Sequence, residues 1–144
     1  MGTRALTHFV DGDTTIATLY RQYDGYPEAH GVELCKYLAG KRMVNGFGSD
    51  DGADAFNGFG DLALRTLTAI KDEAGGCDAI GGYYLQTPGA DDLGEEYSYT
   101  VSVDGDYYAD PSSCRIMVTI EPVYSSAETA THTPEEWFVE WGTT

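Results

Sequence analysis

One stretch of the chain combines residue types that are suited to ligand binding. It begins Tyr20-Arg21-Gln22-Tyr23-Asp24-Gly25-Tyr26-Pro27 and continues Glu28-Ala29-His30-Gly31. Tyrosine rings stack on planar groups, an arginine grips an anion through paired hydrogen bonds, and a histidine titrates near neutral pH. A pocket for a small polar or nucleotide-like ligand is therefore predicted here, and its candidate residues are Arg4, Tyr20, Arg21, Tyr23, Asp24, Tyr26 and His30.

A structural interpretation of the same stretch remains open. In it the tyrosines pack a corner between a strand and a helix, Asp24 and Gly25 turn the chain, and Arg21 forms a salt bridge. Tyrosines that pack at a corner of the chain are as common in proteins as tyrosines that line a ligand pocket. Strand alternation alone does not decide whether Arg4 and Arg21 share a face.

Other segments provide little catalytic chemistry. Near His8 and His132 the sequence shows no carboxylate or serine at a spacing that indicates catalysis. The members of a catalytic triad are brought together by the fold, so sequence alone does not identify such a partner. The three cysteines, Cys35, Cys77 and Cys114, form no Cys-x-x-Cys pair, which is typical of free thiols in a reducing cytoplasm. We predict no catalytic residue and no cofactor.

Metal and phosphate sites are also weakly indicated. Two acidic groups suggest calcium but neither matches an EF-hand loop; they are Asp50, Asp51, Asp54 and Asp61, and Asp104, Asp106 and Asp110. The glycine-rich segment 41–60 has no P-loop lysine, and Asp61 would place a carboxylate where an anion would bind. No metal site is predicted.

The charge is concentrated in one half of the chain. The net charge is −16; residues 1–71 hold seven Lys and Arg against nine Asp and Glu, whereas residues 72–144 hold one against fifteen. Such a field repels phosphates, so direct binding to DNA or RNA is disfavoured unless the few basic residues of the first half gather on one face. Two interpretations stay open: a solvated surface that keeps the protein soluble, or a surface that imitates DNA and occupies a basic host protein.

Length and periodicity predict one α+β domain over residues 1–144. A hairpin is expected from Arg4 to Tyr23, a helix from Glu28 to Leu38, and a second helix from its N-cap Asp61 to Ala74. Strands are expected at 79–86, 96–103 and 115–121, and a capping box at Thr133 starts a third helix. The order ββααβββα indicates a single, mainly antiparallel sheet with the two central helices on one face.

Several motifs, in order, resemble a family of small proteins encoded by tailed phages, prophages and some bacteria. They are the Met-Gly-Thr-Arg start, the segment Tyr20 to Pro27 with His30-Gly31, Met43 to Gly46, Gly81 to Leu85 with Pro88-Gly89, and Gly94 to Val101. The resemblance covers residues 1–103. Family members have Thr-Arg-Asp-Cys where this chain has Ala90-Asp91-Asp92-Leu93, so a basic residue is missing from that loop.

The family carries no assigned activity, so the resemblance implies a setting rather than a mechanism. With the first motif it predicts a non-enzymatic accessory protein in the host cytoplasm, acting in host interaction or counter-defence by binding a small ligand. The alternatives are a DNA-mimic-like protein on a basic host partner, a virion component, or an enzyme of unknown type. The sequence has no apolar run of membrane-spanning length, and no membrane partner is expected.

Overall fold

The computed structural model describes residues 2–46, 52, 54–76, 78 and 82–141. The fold is α+β, with a mixed, mostly antiparallel sheet and three helices. The strands are β1 (Ala5–Asp11), β2 (Thr14–Arg21), β3 (Arg42–Val44), β4 (Ala55–Asn57), β5 (Tyr83–Gln86), β6 (Tyr97–Asp104), β7 (Arg115–Pro122) and β8 (Ala130–His132). The helices are α1 (Val32–Leu38), α2 (Phe59–Glu73) and α3 (Pro134–Trp141).

The main sheet has six strands in the order β5-β2-β1-β6-β7-β8. Its neighbouring strands are antiparallel except β1 and β6, which are parallel. The prediction of a single sheet was wrong, because β3 and β4 form a separate parallel pair. The predicted order ββααβββα lacks β3, β4 and β8, because strands of three residues are too short to produce a periodic pattern. The third helix packs against α1 and β7.

The first hairpin and the helix after it are confirmed. β1 and β2 pair through a turn in which Gly12 has a φ of +65°, a conformation that glycine adopts without steric cost. The predicted helix from Glu28 is present, but it opens with a π-helical turn, Pro27–Gly31, that runs directly into α1. π-Helical turns are rare and often occur at functional or tightly packed sites.

The start of α2 differs from the prediction. The helix begins at Phe59 after Gly58, so Asp61 is not its N-cap and that prediction was wrong. The Asp61 carboxylate instead accepts the N–H of Asn57 at 3.0 Å and lies 3.3 Å from Arg65. The buried face of α2 contains Phe59, Leu62, Ala63, Thr66 and Ile70.

The strands predicted at 96–103 and 115–121 and the third helix are present, and the strand predicted at 79–86 is present from Tyr83. Tyr99 and Val101 of β6 are fully buried, as their alternation predicts. The capping box is present, because Glu136 accepts the Thr133 N–H at 2.8 Å and returns its own N–H to the Thr133 hydroxyl at 3.3 Å. One turn later, the Trp137 indole N–H donates to a β7 carbonyl at 2.7 Å and fixes α3 on the sheet.

The cysteine prediction can be followed at two positions. Cys35 is a buried free thiol, and burial first, with the Glu135 charge second, raises its pKa to about 12. Such a thiol is not a nucleophile at neutral pH. Cys114 is free and half-buried. Cys77, Phe47, Asp50, Asp51 and residues 79–81 of the predicted strand lie outside the described residues.

In the described part of the chain, no helix is long and apolar enough to cross a membrane. α2, with 15 residues, is shorter than the roughly 20 that a bilayer requires.

Candidate functional site

The corner after β2 folds the chain tightly against the start of β1. Asp24 takes a left-handed φ of +59°, and a Cβ added at the buried Gly25 would lie 2.6 Å from the Ala5 Cβ. The Gly25 N–H donates to Thr3 O at 2.8 Å, and the Tyr99 hydroxyl donates to Gly25 O at 2.6 Å. The turn predicted at Asp24 and Gly25 is therefore present, and it directs the π-helical turn across β1.

Four side chains from β1, β2 and the helices join inside this corner. Arg21 Nη1 lies 2.8 Å from Glu33 Oε2 and 3.0 Å from His30 Nδ1, and His30 Nε2 lies 2.7 Å from Thr7 Oγ1. Arg21 Nε also donates to Tyr23 O at 2.6 Å. Thr7, Arg21 and His30 are buried. We call Thr7, Arg21, His30 and Glu33 the corner network.

The corner network fixes the protonation state of His30. A guanidinium only donates hydrogen bonds, so His30 Nδ1 accepts from Arg21 and Nε2–H donates to the Thr7 hydroxyl. Burial, and then the positive charge of Arg21, lower the pKa of His30 to about 3. His30 is therefore neutral at physiological pH, and the expectation that it titrates near neutrality was wrong.

The structural interpretation is confirmed for Arg21 and for the turn, but not for the tyrosines, because Tyr23 and Tyr26 are exposed instead of packed in the corner. The salt bridge predicted for Arg21 is present and joins β2 to α1 through Glu33. The His30 ring also meets the Tyr99 ring edge-on, with centroids 4.8 Å apart. Arg21 and His30 thus bind each other and the protein interior, which holds them away from the surface.

Arg4 and Tyr20 lie on the opposite side of the sheet from Arg21. Ala5 and Arg21 are paired residues, so the residues adjacent to them in the chain face the other way. A Cβ added at Gly94 would lie 2.7 Å from Arg4 Nη1, which means that Arg4 packs on the loop before β6. The Tyr20 hydroxyl donates to Gln22 Oε1 at 2.5 Å.

The other predicted ligand-binding residues lie at the surface of the corner. Tyr23 is 59% exposed, Tyr26 is 38% exposed, and Asp24 is also exposed. The structure therefore brings the Arg21 and His30 side chains together, and these two residues meet Tyr23 and Tyr26 only through backbone hydrogen bonds. The side chains of the other predicted residues lie elsewhere.

Arg21 of the corner network also contacts an aromatic ring outside the network, on β5. The Arg21 guanidinium carbon lies 5.1 Å from the centre of the Tyr83 ring on β5, which is within cation–π range. Tyr83 forms part of the wall of a large groove between α2 and β5. Arg21 is thus a positioning residue for that wall.

This cavity, the α2–β5 groove, has a volume of about 950 Å³. Pockets for small ligands typically have volumes of roughly 300–1,000 Å³ and mostly apolar walls. The apolar part of the wall includes Leu19, Phe56, Leu64, Leu67 and Leu85. Leu64 and Leu85 are 67% and 66% exposed, so the groove presents apolar surface to solvent.

Positive charge is concentrated along the α2–β5 groove. Lys41, Arg65 and Lys71 line it, which is three of the eight Lys and Arg residues in the chain, and the wall also contains one carboxylate, that of Asp72. Arg65 lies over the Phe56 ring at 4.6 Å and donates to Ala55 O at 2.7 Å. An apolar groove with basic residues is therefore present in a protein of net charge −16.

Two tyrosines of the groove, Tyr37 and Tyr83, are hydrogen-bond donors at neutral pH. Burial first, and then the Glu73 hydrogen bond, raise the pKa of Tyr37, whose hydroxyl donates to the Glu73 carboxylate. Burial first, and then the Glu33 charge, raise the pKa of Tyr83. Both phenols stay neutral at physiological pH, so neither serves as a general base.

Sequence reasoning missed the α2–β5 groove because its residues come from five separate segments. Two signals were available. Leu64 falls beside the apolar stripe of α2 rather than on it, and Tyr84 and Leu85 are consecutive large side chains in a short strand. Neither pattern says where α2 lies relative to β5.

A second, polar cleft of about 560 Å³ lies on the sheet face that carries Arg4 and Tyr20. Its wall contains His8 and four carboxylates, which are Asp91, Asp92, Glu95 and Glu121. Glu95 is buried and accepts the N–H groups of Asp92 and Leu93 at 3.3 and 2.8 Å. Burial lowers the pKa of His8, and the Glu95 and Asp91 charges oppose this shift.

Within the described ranges, no group of three or more His, Cys, Asp or Glu side chains is arranged to hold a metal ion. Searches of protein-family models, curated proteins and solved structures found no match to this chain.

Proposed function

We propose that this protein is a non-enzymatic accessory protein of the phage type, which acts in the host cytoplasm by binding a host component. Its ligand is an anion with a flat or apolar part, and it occupies the α2–β5 groove. The small nucleotide-like ligand expected from the sequence belongs to this chemical class. The binding site is thus the α2–β5 groove and not the corner predicted from the sequence. Arg21 and His30 support the groove wall at Tyr83.

The observation that carries the proposal is the coincidence of apolar wall and positive charge. Charges beyond about 8–10 Å are screened at physiological salt, so an anion in the groove responds mainly to the charges of its wall, where Lys41, Arg65 and Lys71 outnumber the single carboxylate of Asp72. Its apolar part removes Leu64 and Leu85 from water. The rest of the surface is acidic and repels the same ligand, which makes the groove selective.

The protonation states of two groove tyrosines and of the buried Cys35 and His30 support binding rather than catalysis. Tyr37 and Tyr83 remain protonated, and the Cys35 thiol has a pKa of about 12. His30, the histidine of the corner network, is neutral and engaged by Thr7 and Arg21. These groups suit hydrogen bonding to a ligand or support of the groove wall.

Anilinonaphthalene sulfonate, a flat apolar anion that fluoresces out of water, tests this proposal. We expect saturable binding at one site and displacement by nucleotides if the ligand is nucleotide-like. Lys71→Gln should weaken binding by about fivefold, because one charge contact at the surface contributes about 1 kcal/mol. Leu64→Glu, which removes apolar surface and adds a like charge, should weaken it by about tenfold or more.

Matched controls lie outside the groove. Arg115→Gln removes an exposed cation from β7, and Val139→Glu adds a carboxylate at a helical position that is 67% exposed, as Leu64 is. Both controls should leave probe binding unchanged. Absence of saturable binding, or equal losses in the groove and control variants, would contradict the proposal.

A second candidate function is supported by the polar cleft. Four carboxylates line it, and residues 72–144 hold fifteen acidic residues against Arg115 alone. A basic host protein, of the kind that binds DNA, suits this surface as a partner. Pulldown with purified DNA-binding proteins at rising salt tests it, with Glu121→Gln and Asp91→Asn as weakened variants; no salt-sensitive capture at low salt excludes it.

A further inference from the structure

β5 is an edge strand whose outer side is unpaired among the described residues. The sheet ends at β5 on one side and at β8 on the other. β8 has three residues and runs almost directly into α3, so it offers little edge to a partner. β5 lies instead beside the α2–β5 groove.

The pairing of β5 with β2 determines which backbone groups point outward. The Gln22 N–H donates to Gly82 O at 2.8 Å, so Gln22 and Gly82 form a hydrogen-bonded pair. Hydrogen-bonded and non-hydrogen-bonded pairs alternate along an antiparallel ladder. Tyr84 therefore points its N–H and C=O toward β2, whereas Tyr83 and Leu85 point theirs to the open edge.

The same two residues direct their side chains into the α2–β5 groove. Tyr83 is paired with Arg21, and Leu85 is paired with the core residue Leu19, so both lie on the helix side of the sheet. Both line the groove, and Tyr84, which is half exposed, also borders it. Open backbone groups and an apolar surface thus occur on one short strand.

β5 has none of the features that usually prevent an edge strand from pairing with another chain. Natural edge strands are usually protected by charged side chains, proline or a bulge. β5 reads Tyr-Tyr-Leu-Gln, without charge or proline, and Tyr84 and Leu85 are 50% and 66% exposed. A strand of this composition is a template for an added strand.

We infer that the ligand of the α2–β5 groove is an extended segment of a partner protein that adds to β5 as a seventh strand. Its backbone bonds to the N–H and C=O groups of Tyr83 and Leu85. Alternate side chains enter the groove, where apolar ones contact Leu64 and acidic ones meet Lys41 and Lys71. The inference rests on the proposed function and names the partner for that groove.

Charge favours an acidic partner segment over a second copy of this chain. Pairing β5 with its own copy would bring together two chains of net charge −16 and place two sets of groove cations side by side. A segment that carries Glu or Asp at groove-facing positions is attracted to the same cations. A self-associated form is accordingly an outcome that would overturn the inference.

A fluorescent nine-residue peptide serves as the probe, with Leu and Glu at alternate positions, threonine between them, and blocked ends. We expect it to bind the full chain with a single-site anisotropy curve, and to slow amide hydrogen exchange at Tyr83 and Leu85 more than at Tyr84. A control peptide has identical side chains but is N-methylated at the residues whose backbone N–H groups point toward β5. It should bind at least tenfold more weakly.

Leu85→Pro tests the backbone hydrogen bonds that β5 is inferred to make with the peptide. It removes the outward N–H of Leu85, and proline is tolerated on an edge strand. Leu85→Ala is the matched control, because it loses the same side chain but keeps the N–H. Peptide binding should fall at least tenfold further in Leu85→Pro than in Leu85→Ala, while binding of anilinonaphthalene sulfonate should be equal in the two variants.

The outcomes separate the inference from the proposed function. If the sulfonate probe binds but the peptide does not, or if N-methylation has no effect, strand addition is overturned and the groove remains a small-ligand site. Concentration-dependent dimerisation that is lost in Leu85→Pro overturns the acidic partner in favour of a second copy. If neither probe binds, the proposed function fails as well.

Discussion

Replacement of Arg21 by methionine should destabilise the protein by about 3–5 kcal/mol, because removing one member of a buried ion pair leaves the other charge uncompensated. Glu33 would keep a carboxylate that is 14% exposed without its cation, and His30 Nδ1 would lose its donor. The Tyr83 ring would lose its cation–π contact. Methionine is a long side chain like arginine. The decrease in the free energy of unfolding therefore reports the lost charge and hydrogen bonds more than lost packing.

Urea unfolding monitored by circular dichroism measures this effect. Lys36→Met is the control, because Lys36 lies 3.8 Å from Glu73 in a pair whose side chains are 55% and 46% exposed. Surface pairs of this kind contribute roughly 0–1 kcal/mol. If Arg21→Met costs no more than Lys36→Met, the corner network does not hold β2 to α1 as described.

Acid should destabilise the native state through His30. Its pKa is about 3 in the folded protein and near 6.5 in the unfolded chain, so the unfolded chain binds the extra proton between these values. Stability is therefore fully present above pH 6.5 and decreases as pH falls below it. The slope is about 1.4 kcal/mol per pH unit, which amounts to about 2 kcal/mol between pH 8 and pH 5.

His30→Gln isolates this contribution. Glutamine offers an acceptor to Arg21 and a donor to Thr7 without titrating. The free energy of unfolding, measured from pH 8 to pH 5, should lose the slope that His30 provides, even if the variant is less stable at every pH. His132→Gln, at an exposed histidine, should keep it. Retention of the full slope in His30→Gln would contradict a buried, neutral His30.

The local elements of this fold could be predicted from sequence. Asp-Gly-Asp between two β-rich runs specifies the first hairpin, and alternation specifies β6 and β7. The capping box at Thr133 and Glu136 marks the start of α3. Each of these signals lies within a few residues, where propensity and periodicity act directly.

The long-range features could not be predicted in the same way. The parallel pairing of β1 with β6 joins residues about 90 positions apart, and no local pattern encodes it. β3, β4 and β8 have three residues each and become strands only through their partners. Strand propensity reflects this dependence on tertiary contacts.

In the candidate site, too, local features could be predicted from sequence and long-range contacts could not. The sequence identified Arg21 and His30 as unusual residues, and the structure places both in one buried network. Whether Arg21 binds a ligand or Glu33 depends on the position of α1, which only the folded chain fixes. The α2–β5 groove depends on more distant segments still, because Leu19, Lys71 and Leu85 meet only after β5 pairs with β2.

The central claim is that the α2–β5 groove binds the ligand, and chemical-shift mapping tests it most directly. Amide spectra of the isotope-labelled protein would be recorded during addition of anilinonaphthalene sulfonate. We predict that the largest changes occur at Leu67, Lys71, Tyr83 and Leu85, with little change at Tyr23, Tyr26 and Glu121. Changes centred on Tyr23 and Tyr26, or on the cleft beside Glu121, would contradict the account.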